Sequence, residues 1–318
     1  MMESSMVDLV GVGLNATDTL IALAEFPVRG SKVEYSNETV MPGGQVATAV
    51  AACQTWGLRT RYVGKLGDDD AARLHAAEFS RLGVEARLIH VAGAMSPKST
   101  ILVDWDGERT VLCRRDERMN LRPEELERDW IVNARCLHVD GYDTAAATLA
   151  ATWARQAGIP VVADLDEIYD GVEDLIRNID YLIVSRDFPR KLMAEDNLQR
   201  ALQAMQARYG NRLTASTLGV DGVLAWNGEE FHHNPAYCVP VADTTGAGDL
   251  FHAGFIYGLL QGWPTQRGLD FSCAAAALNC MATGARGGIR GVREIQELIS
   301  TGEHYAISPE LLEAATER

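Results

Sequence analysis

Two aspartates and two glycines within seven residues, Asp243-Thr244-Thr245-Gly246-Ala247-Gly248-Asp249, form the stretch of this chain best suited to chemistry. Downstream, Leu250, Phe251, Gly254, Phe255, Gly258 and Leu259 recur at helical spacing until Gly262 and Pro264 end the pattern. Both glycines then fall in a first helical turn, where backbone N–H groups lack intrahelical partners and the helix dipole is positive. Lacking side chains, Gly246 and Gly248 let an anion approach those donors closely. Asp249 repels such an anion unless it acts on something else. Phosphoryl transfer to an alcohol needs donors for the phosphoryl charge and a group that orients the hydroxyl and takes its proton. The Gly246–Gly248 amides suit the first task and Asp249 the second. The competing reading is a plain helix start, with Asp249 placed there by the dipole alone.

Several elements must position that turn. Cys238-Val239-Pro240-Val241 reads as a short strand before it, and an alanine-rich run from about Ala274 to Ala285 as a buried helix after it. From Leu121 onward strands and helices alternate. Strands are predicted at Cys136–Val139, Val161–Ala163, Tyr181–Val184, Leu213–Leu218 and Val223–Trp226, and helices at Ala145–Ala157, Asp187–Met193 and Leu198–Tyr209. This rhythm implies a mainly parallel sheet covered by helices on both faces. Asp140, Asp164, Asp166, Ser185 and the Thr217–Gly222 turn follow strand ends, so all gather at the carboxyl edge of one sheet, where ligands bind.

In the N-terminal half, Val7–Val12 is a strand, and its Gly11-x-Gly13-x-x-Ala16 ending is a poor dinucleotide fingerprint because no clean helix follows. Asn15 and Asp18, just past that strand, suit a hydroxyl-rich ligand or simply a turn. Pro42-Gly43-Gly44-Gln45 precedes a small-residue helix at Val46–Ala52, again offering free N–H groups. Gly64 to Asp70 reads as a turn into another helix. Ser99–Val103 and Arg109–Cys113, joined by Asp104-Trp105-Asp106-Gly107, form a hairpin. With Val33–Met41 they would make a small separate sheet, carrying Arg109, Arg114 and Arg115 on a face.

Composition narrows the function classes. The 318 residues are 47% hydrophobic, enough for one large α/β core. A net charge of −15 argues against binding nucleic-acid backbones or anionic membranes. Six cysteines without a Cys-x-x-Cys pair suggest reduced thiols and a cytoplasmic protein, and no Gly-x-x-x-x-Gly-Lys-Ser/Thr loop is present.

Together, the glycine pair Gly43-Gly44, the Gly64-x-x-Gly67-Asp68 turn and the heptad at 243–249 resemble the ribokinase-like carbohydrate kinases, the phosphofructokinase-B type. The resemblance spans nearly the whole chain. It implies one doubly wound α/β domain over residues 1–318, with a small β lid from about 31–42 and 98–115, and ATP with Mg²⁺ as phosphoryl donor. It assigns Asp249 as catalytic base and Gly246, Ala247 and Gly248 as anion hole. Asn15, Asp18, Gly43 and Gly44 match sugar-binding positions, joined by Gln45, Thr48, Arg109 and Asp140. Ser185, Thr217, Gly219, Asp221 and Gly222 lie along the nucleotide, with Cys273 and Cys280 flanking adenine and Ala276 and Gly284 also among the cofactor-binding positions. Asp243 and Thr245, with the backbone near Gly284, match a monovalent-cation (K⁺) site of some members. A homodimer through the lid is implied by the same resemblance.

Within the family, His138-Val139-Asp140-Gly141, Ser185-Arg186-Asp187 and the Cys273/Cys280 pair are similar to the ketohexokinase branch. Gly43–Ala49 with Gly287-Gly288-Ile289 is similar to the sulfofructose kinase branch. Both branches act on a terminal hydroxyl of a ketose, so the expected activity is phosphorylation of a primary hydroxyl of a ketohexose-like sugar. Gln45 and Thr48 replace the family's usual asparagines, and Ser185 and Phe188 replace an Asn-x-x-Glu pattern that organises the metal's waters. Asp164 or Asp166 is the substitute metal-positioning group. The rival readings are a nucleoside kinase of the same fold, with Trp105 and Tyr35 as a wall for the base, and a non-catalytic sugar or nucleotide sensor.

Overall fold

Short apolar runs alternating with amphipathic or alanine-rich segments place the chain in layers, seen here in a computed structural model describing residues 5–35, 37–104 and 109–306. The N-terminal elements are β1 (Val7–Val12), β2 (Ala16–Ala22), β3 (Asn37–Gly43), α1 (Gln45–Thr55), β4 (Thr60–Leu66), α2 (Asp70–Leu82), β5 (Glu85–His90), β6 (Lys98–Val103) and β7 (Arg109–Arg114). Next come α3 (Arg128–Val132), β8 (Ala134–Asp140), α4 (Thr144–Gln156), β9 (Val161–Leu165), α5 (Val172–Ile176), β10 (Tyr181–Val184), α6 (Phe188–Met193) and α7 (Leu198–Tyr209). The chain continues through β11 (Leu213–Thr217), β12 (Val223–Trp226), β13 (Phe231–Asn234), α8 (Ala247–Leu260), α9 (Thr265–Cys280) and α10 (Val292–Thr301).

Nine strands form one sheet in the order β13-β12-β11-β10-β9-β8-β1-β4-β5, parallel except for β12, which runs antiparallel to both β11 and β13 at one edge. Two apolar clusters cover its faces. One joins α1, α2, α8, α9 and α10, with Leu9 and Cys136 pointing into it; the other joins α3 to α7, with Val10 and Leu137. Strand order reverses beside β1, so the ends of β1, β8 and β9 open into one crevice. A second sheet, β3-β2-β6-β7, stands apart as a lid. The expected α/β architecture with a small β lid is present.

The details differ in instructive places. Asp18 does not lie in a loop after β1. It sits in β2, which pairs with Met41 of β3 on one side and Ser99 of β6 on the other, making β2 the centre of the lid. The Gly11–Ala16 stretch therefore leads into a strand, which removes the dinucleotide-loop reading. Gly64–Leu66 is not a turn but the end of β4. Its alternation was masked because Arg61 and Lys65 are buried there, satisfied by Glu85 and by Asn120 with Glu125. The strand predicted at Val33–Met41 runs instead from Asn37 to Gly43, and β5, β13 and α10 lacked a clear sequence signal. The hairpin turn at Trp105–Gly107 lies outside the described residues, as does the side chain of Arg109, whose backbone pairs with Val103.

Candidate active site

The heptad forms the first helical turn that was expected, although the segment before it, Cys238–Val241, is irregular chain and not the predicted strand. Gly246 caps α8 in the left-handed conformation, with φ 78°, and a side chain there would meet the carbonyl of Ala285 at 2.4 Å. Its glycine is therefore a packing requirement. Gly248 is different. It is exposed, and a Cβ placed on it would meet nothing within 4 Å. The space beside Gly248 is open, with room for a group that approaches the first turn of α8. Of the three peptides, Ala247 donates its N–H to Thr244 O at 3.2 Å, so the outward donors are those of Gly246, Gly248 and the rest of the first turn. Gly248→Ala tests this reading. Helix propensity should leave the melting temperature unchanged or raise stability by up to ~1 kcal/mol, while a methyl group in the cradle lowers kcat about tenfold or more. Equal activity in the variant sinks the cradle.

Asp249 is half-buried. Desolvation, with the nearby Asp164 carboxylate, pushes its pKa up to about 8; His252, Asp18 and Arg286 contribute smaller effects. Asp164, at the end of β9, is pushed to about 8 by burial and by Asp166. His252, one turn along α8, places Nδ1 2.8 Å from Gly248 O and 3.4 Å from Asp164 Oδ2, and burial holds it neutral. Gln45 also hydrogen-bonds Asp164. It thereby orients a carboxylate of the cleft instead of standing alone.

The lid supplies the opposite wall. Asp18 is 7% exposed, packs against Gly43 and is hydrogen-bonded by Ser99. Burial raises it to about 6, with Arg286 opposing the rise. Gly44 caps α1 at φ 91°, where a side chain would strike Asn15 Cα at 2.5 Å. Asn15 is buried, its Nδ2 donating to Tyr62 Oη (2.6 Å) and Lys65 O (3.1 Å) while Oδ1 is unpartnered. Two predicted binders are engaged elsewhere. Thr48 is fully buried and accepts from Arg286, and Asp140 accepts from the N–H groups of Leu14 (2.7 Å) and Tyr142 (3.0 Å), joining the ends of β1 and β8.

Arg286 is the residue that sequence reasoning missed. Its side chain is 5% exposed. Nη2 donates to Gly43 O (2.9 Å), Nε to Thr48 Oγ1 (3.2 Å), and Nη1 lies 4.0 Å from Glu78 without a hydrogen-bond partner. Burial pulls its pKa down to about 10, so it stays charged near neutrality. The only sequence signal was an arginine set among glycines after a buried helix, a pattern without periodicity.

Beyond the turn, a cavity of about 280 Å³ runs from Ala247 and Gly248 under β11, α8 and α9. Thr217, Gly219, Gly222, Cys273, Ala276 and Cys280 line it together, and Val239, Phe251 and Tyr305 add apolar walls. Asp221 is not among its lining residues and pairs instead with Arg186 at 2.7 Å. Ser185 donates to Asp166 O at 2.9 Å, while Phe188 is a core residue of the sheet face. Asp243 accepts from Thr245 N and Oγ1 and from Gly284 N, which ties the loop before α8 to the segment after α9.

An apolar slot ending in free helix N–H groups, beside acids under a lid, fits a nucleotide whose phosphates meet an alcohol. No cluster of three metal-binding side chains exists among the described residues. Mg²⁺ suits such a site because it keeps several waters and binds largely through phosphates, needing only one or two carboxylates such as Asp164 or Asp166. Among those same residues no helix is long and apolar enough to cross a membrane.

Known proteins agree with this geometry. The chain is 26% identical to the ATP-dependent ribose-1-phosphate kinase of Halopiger xanaduensis, with 88% of this chain and 94% of that protein covered. It is 26% identical to the 5-dehydro-2-deoxygluconokinase of Geobacillus kaustophilus, over 74% of this chain and 78% of that one. The fold matches ribokinase from Thermotoga maritima at a TM-score of 0.82 and 22% identity, covering 93% of this chain and 100% of that structure. It also matches Arabidopsis thaliana ribokinase complexed with ribose and ATP, at a TM-score of 0.80 and 21% identity, over 93% and 99%. Residues 8–290 match the profile of the pfkB family carbohydrate kinases, and the chain belongs to that family as an ATP-dependent sugar kinase.

Proposed function

We propose that this kinase transfers the γ-phosphoryl group of ATP to a primary hydroxyl of a ketohexose-like sugar held between the lid and Gly43–Gly44. The observation that carries the reading is Asp249 beside the open Gly248 cradle, at the mouth of an apolar slot. Asp249 takes the hydroxyl proton as the sugar oxygen bonds to the γ-phosphorus. The bond from that phosphorus to the bridging oxygen breaks, and ADP leaves with the electron pair. The Gly246 and Gly248 N–H groups hold the charge on the transferred oxygens; one preorganised donor of this kind is worth ~2.7–4 kcal/mol of barrier. When bound, Mg²⁺ neutralises charge on the β- and γ-phosphates. Asp140 acts through Leu14 and Tyr142, and Thr48 through Arg286, as positioning residues.

His138 is fully buried, with Nδ1 on Val162 O and its ring stacked on His252, which makes it a core residue of any chain packed this way. A panel of ketoses, aldoses, sugar acids and nucleosides, followed by ATP consumption, tests the substrate class. Turnover confined to nucleosides overturns the sugar assignment, and ligand-induced stabilisation without any turnover supports the sensor.

The raised pKa of Asp249 carries a prediction with a definite sign. A base works when ionised, so kcat/KM rises with pH and levels off above about 8; near pH 7 roughly one molecule in ten has Asp249 charged. A profile flat from pH 6 to 9 contradicts the assignment.

The homodimer through the lid is supported by the outer lid face. Val40 and Leu112 lie on the lid face opposite Asp18 and are 51% and 55% exposed, while Thr19 between them in the row is buried. Sedimentation of the purified protein as a monomer at micromolar concentration removes this proposal.

A further inference from the structure

The cleft contains a guanidinium that the reaction above does not use. In the lid, Asp18 pairs with Ser99 and Ser99 with Cys113, so these residues share the cleft-facing side. Arg115 has the same parity as Cys113 and continues that row just past β7. Its Cζ lies 4.7 Å from the centre of the Tyr142 ring, and the Tyr169 hydroxyl is within its hydrogen-bonding reach. Tyr142 follows the end of β8 and Tyr169 the end of β9, and the Tyr169 ring lies against Gly141. A lid arginine and two phenols therefore converge at one end of the crevice, roughly 10 Å across two strand spacings from Asp18.

Its neighbours behave differently. Arg114 lies 3.8 Å from Asp69 and Arg118 2.6 Å from Asp116, whereas Arg115, among the described residues, has no carboxylate within 4.0 Å. This is notable in a chain of net charge −15, in a crevice that also holds Asp140, Asp143 and Asp166. Burial pushes Asp140 well up and Asp143 to about 7, so this end of the crevice is less negative than its composition. An exposed arginine over a ring gains little. A charge-assisted hydrogen bond is stronger and can be bidentate to a carboxylate or phosphate. An anion arriving there outcompetes the ring; a neutral hydroxyl barely does.

We propose that Arg115, with the hydroxyls of Tyr142 and Tyr169, binds an anionic substituent of the sugar, a carboxylate or a phosphate, at the end opposite the hydroxyl that is phosphorylated. The substrate class is then an acidic or already phosphorylated sugar. This rests on the cleft being the sugar site of the proposed reaction, and the test separates the two.

Fructose, 2-ketogluconate, fructose-1-phosphate and fructose-6-phosphate share one ketohexose frame and differ in having a terminal hydroxyl, carboxylate or phosphate. With Mg-ATP and the full chain, at least one anionic sugar should exceed fructose in kcat/KM by about 100-fold or more, and which one distinguishes carboxylate from phosphate. Arg115→Gln should lower the ratio of anionic to neutral kcat/KM by at least about 30-fold, mostly through KM, and Arg115→Lys should lower it less. An unchanged ratio, or fructose as the best of the four, overturns the anion site while the kinase reading stands. If none consumes ATP, calorimetric binding of the four to Asp249→Asn protein, with and without Arg115→Gln, decides the matter. Binding of the anionic sugars that depends on Arg115 keeps the site and discards the reaction; binding of none, or of all equally, overturns the site as well.

Discussion

Asp249→Asn should lower kcat at least ~100-fold, about 2.7 kcal/mol of barrier, with the dissociation constant for ATP changed less than threefold. Asparagine keeps the shape and the place in the first turn of α8 but cannot take a proton. The slot that holds the nucleotide is built by other residues, so ATP affinity is spared. Stability should move the other way, and its sign follows from linkage. Asp249 has a folded pKa near 8 against an ordinary value of 3.8, so the folded state binds this proton more tightly than the unfolded chain. Its contribution is intact below pH 3.8 and is lost as pH rises through 8. Asparagine carries no such penalty, so the variant should melt higher than wild type at pH 8.5 and gain much less at pH 5. A variant with full turnover removes Asp249 as the base. One that loses activity but shows the same melting difference at both pH values removes the buried-carboxylate account.

Arg286→Gln should produce the second large effect. The arginine ties the end of β3 to α1 through Gly43 O and Thr48 Oγ1, and its charge faces Glu78 of α2, Tyr62 of β4, Asp18 of β2 and Asp249 of α8. Removing one partner of a buried charge network typically costs ~3–5 kcal/mol, and a fall of that size in unfolding free energy near pH 7.5 is expected. Without the cation, Asp18 and Asp249 protonate more readily, so the rising limb of kcat/KM moves to higher pH and part of the lost activity returns by pH 9. Arg286→Lys keeps the charge and should keep the limb near its wild-type position. A purely structural arginine leaves the limb in place; that result refutes the electrostatic role.

Much of the fold was legible because its strands are buried on both faces and read as plain apolar runs. Val161–Leu165 and Tyr181–Val184 are short, β-branched and bounded by turns, and their positions followed directly. The heptad was legible for a related reason. Where only glycine fits beside Ala285, and where nothing but open space faces Gly248, the residue type itself records the geometry. Thr60–Leu66 failed because charged residues satisfied at long range do not look buried in one dimension.

By itself, the sequence determined the alternating layers, the family-type turn at 243–249 and the carboxyl-edge placement of the acids, because each is a local pattern of size, polarity or backbone freedom. The tertiary structure alone decided that Asp18 belongs to the lid, that Asp140 and Thr48 are spent on internal partners, and that Arg286 faces Asp249 from 37 residues along the chain (286 against 249). Those outcomes depend on which groups meet after the sheet and lid close on each other. A carboxylate's pKa, and so its fitness as a base, is a property of that enclosure and not of its neighbours in sequence.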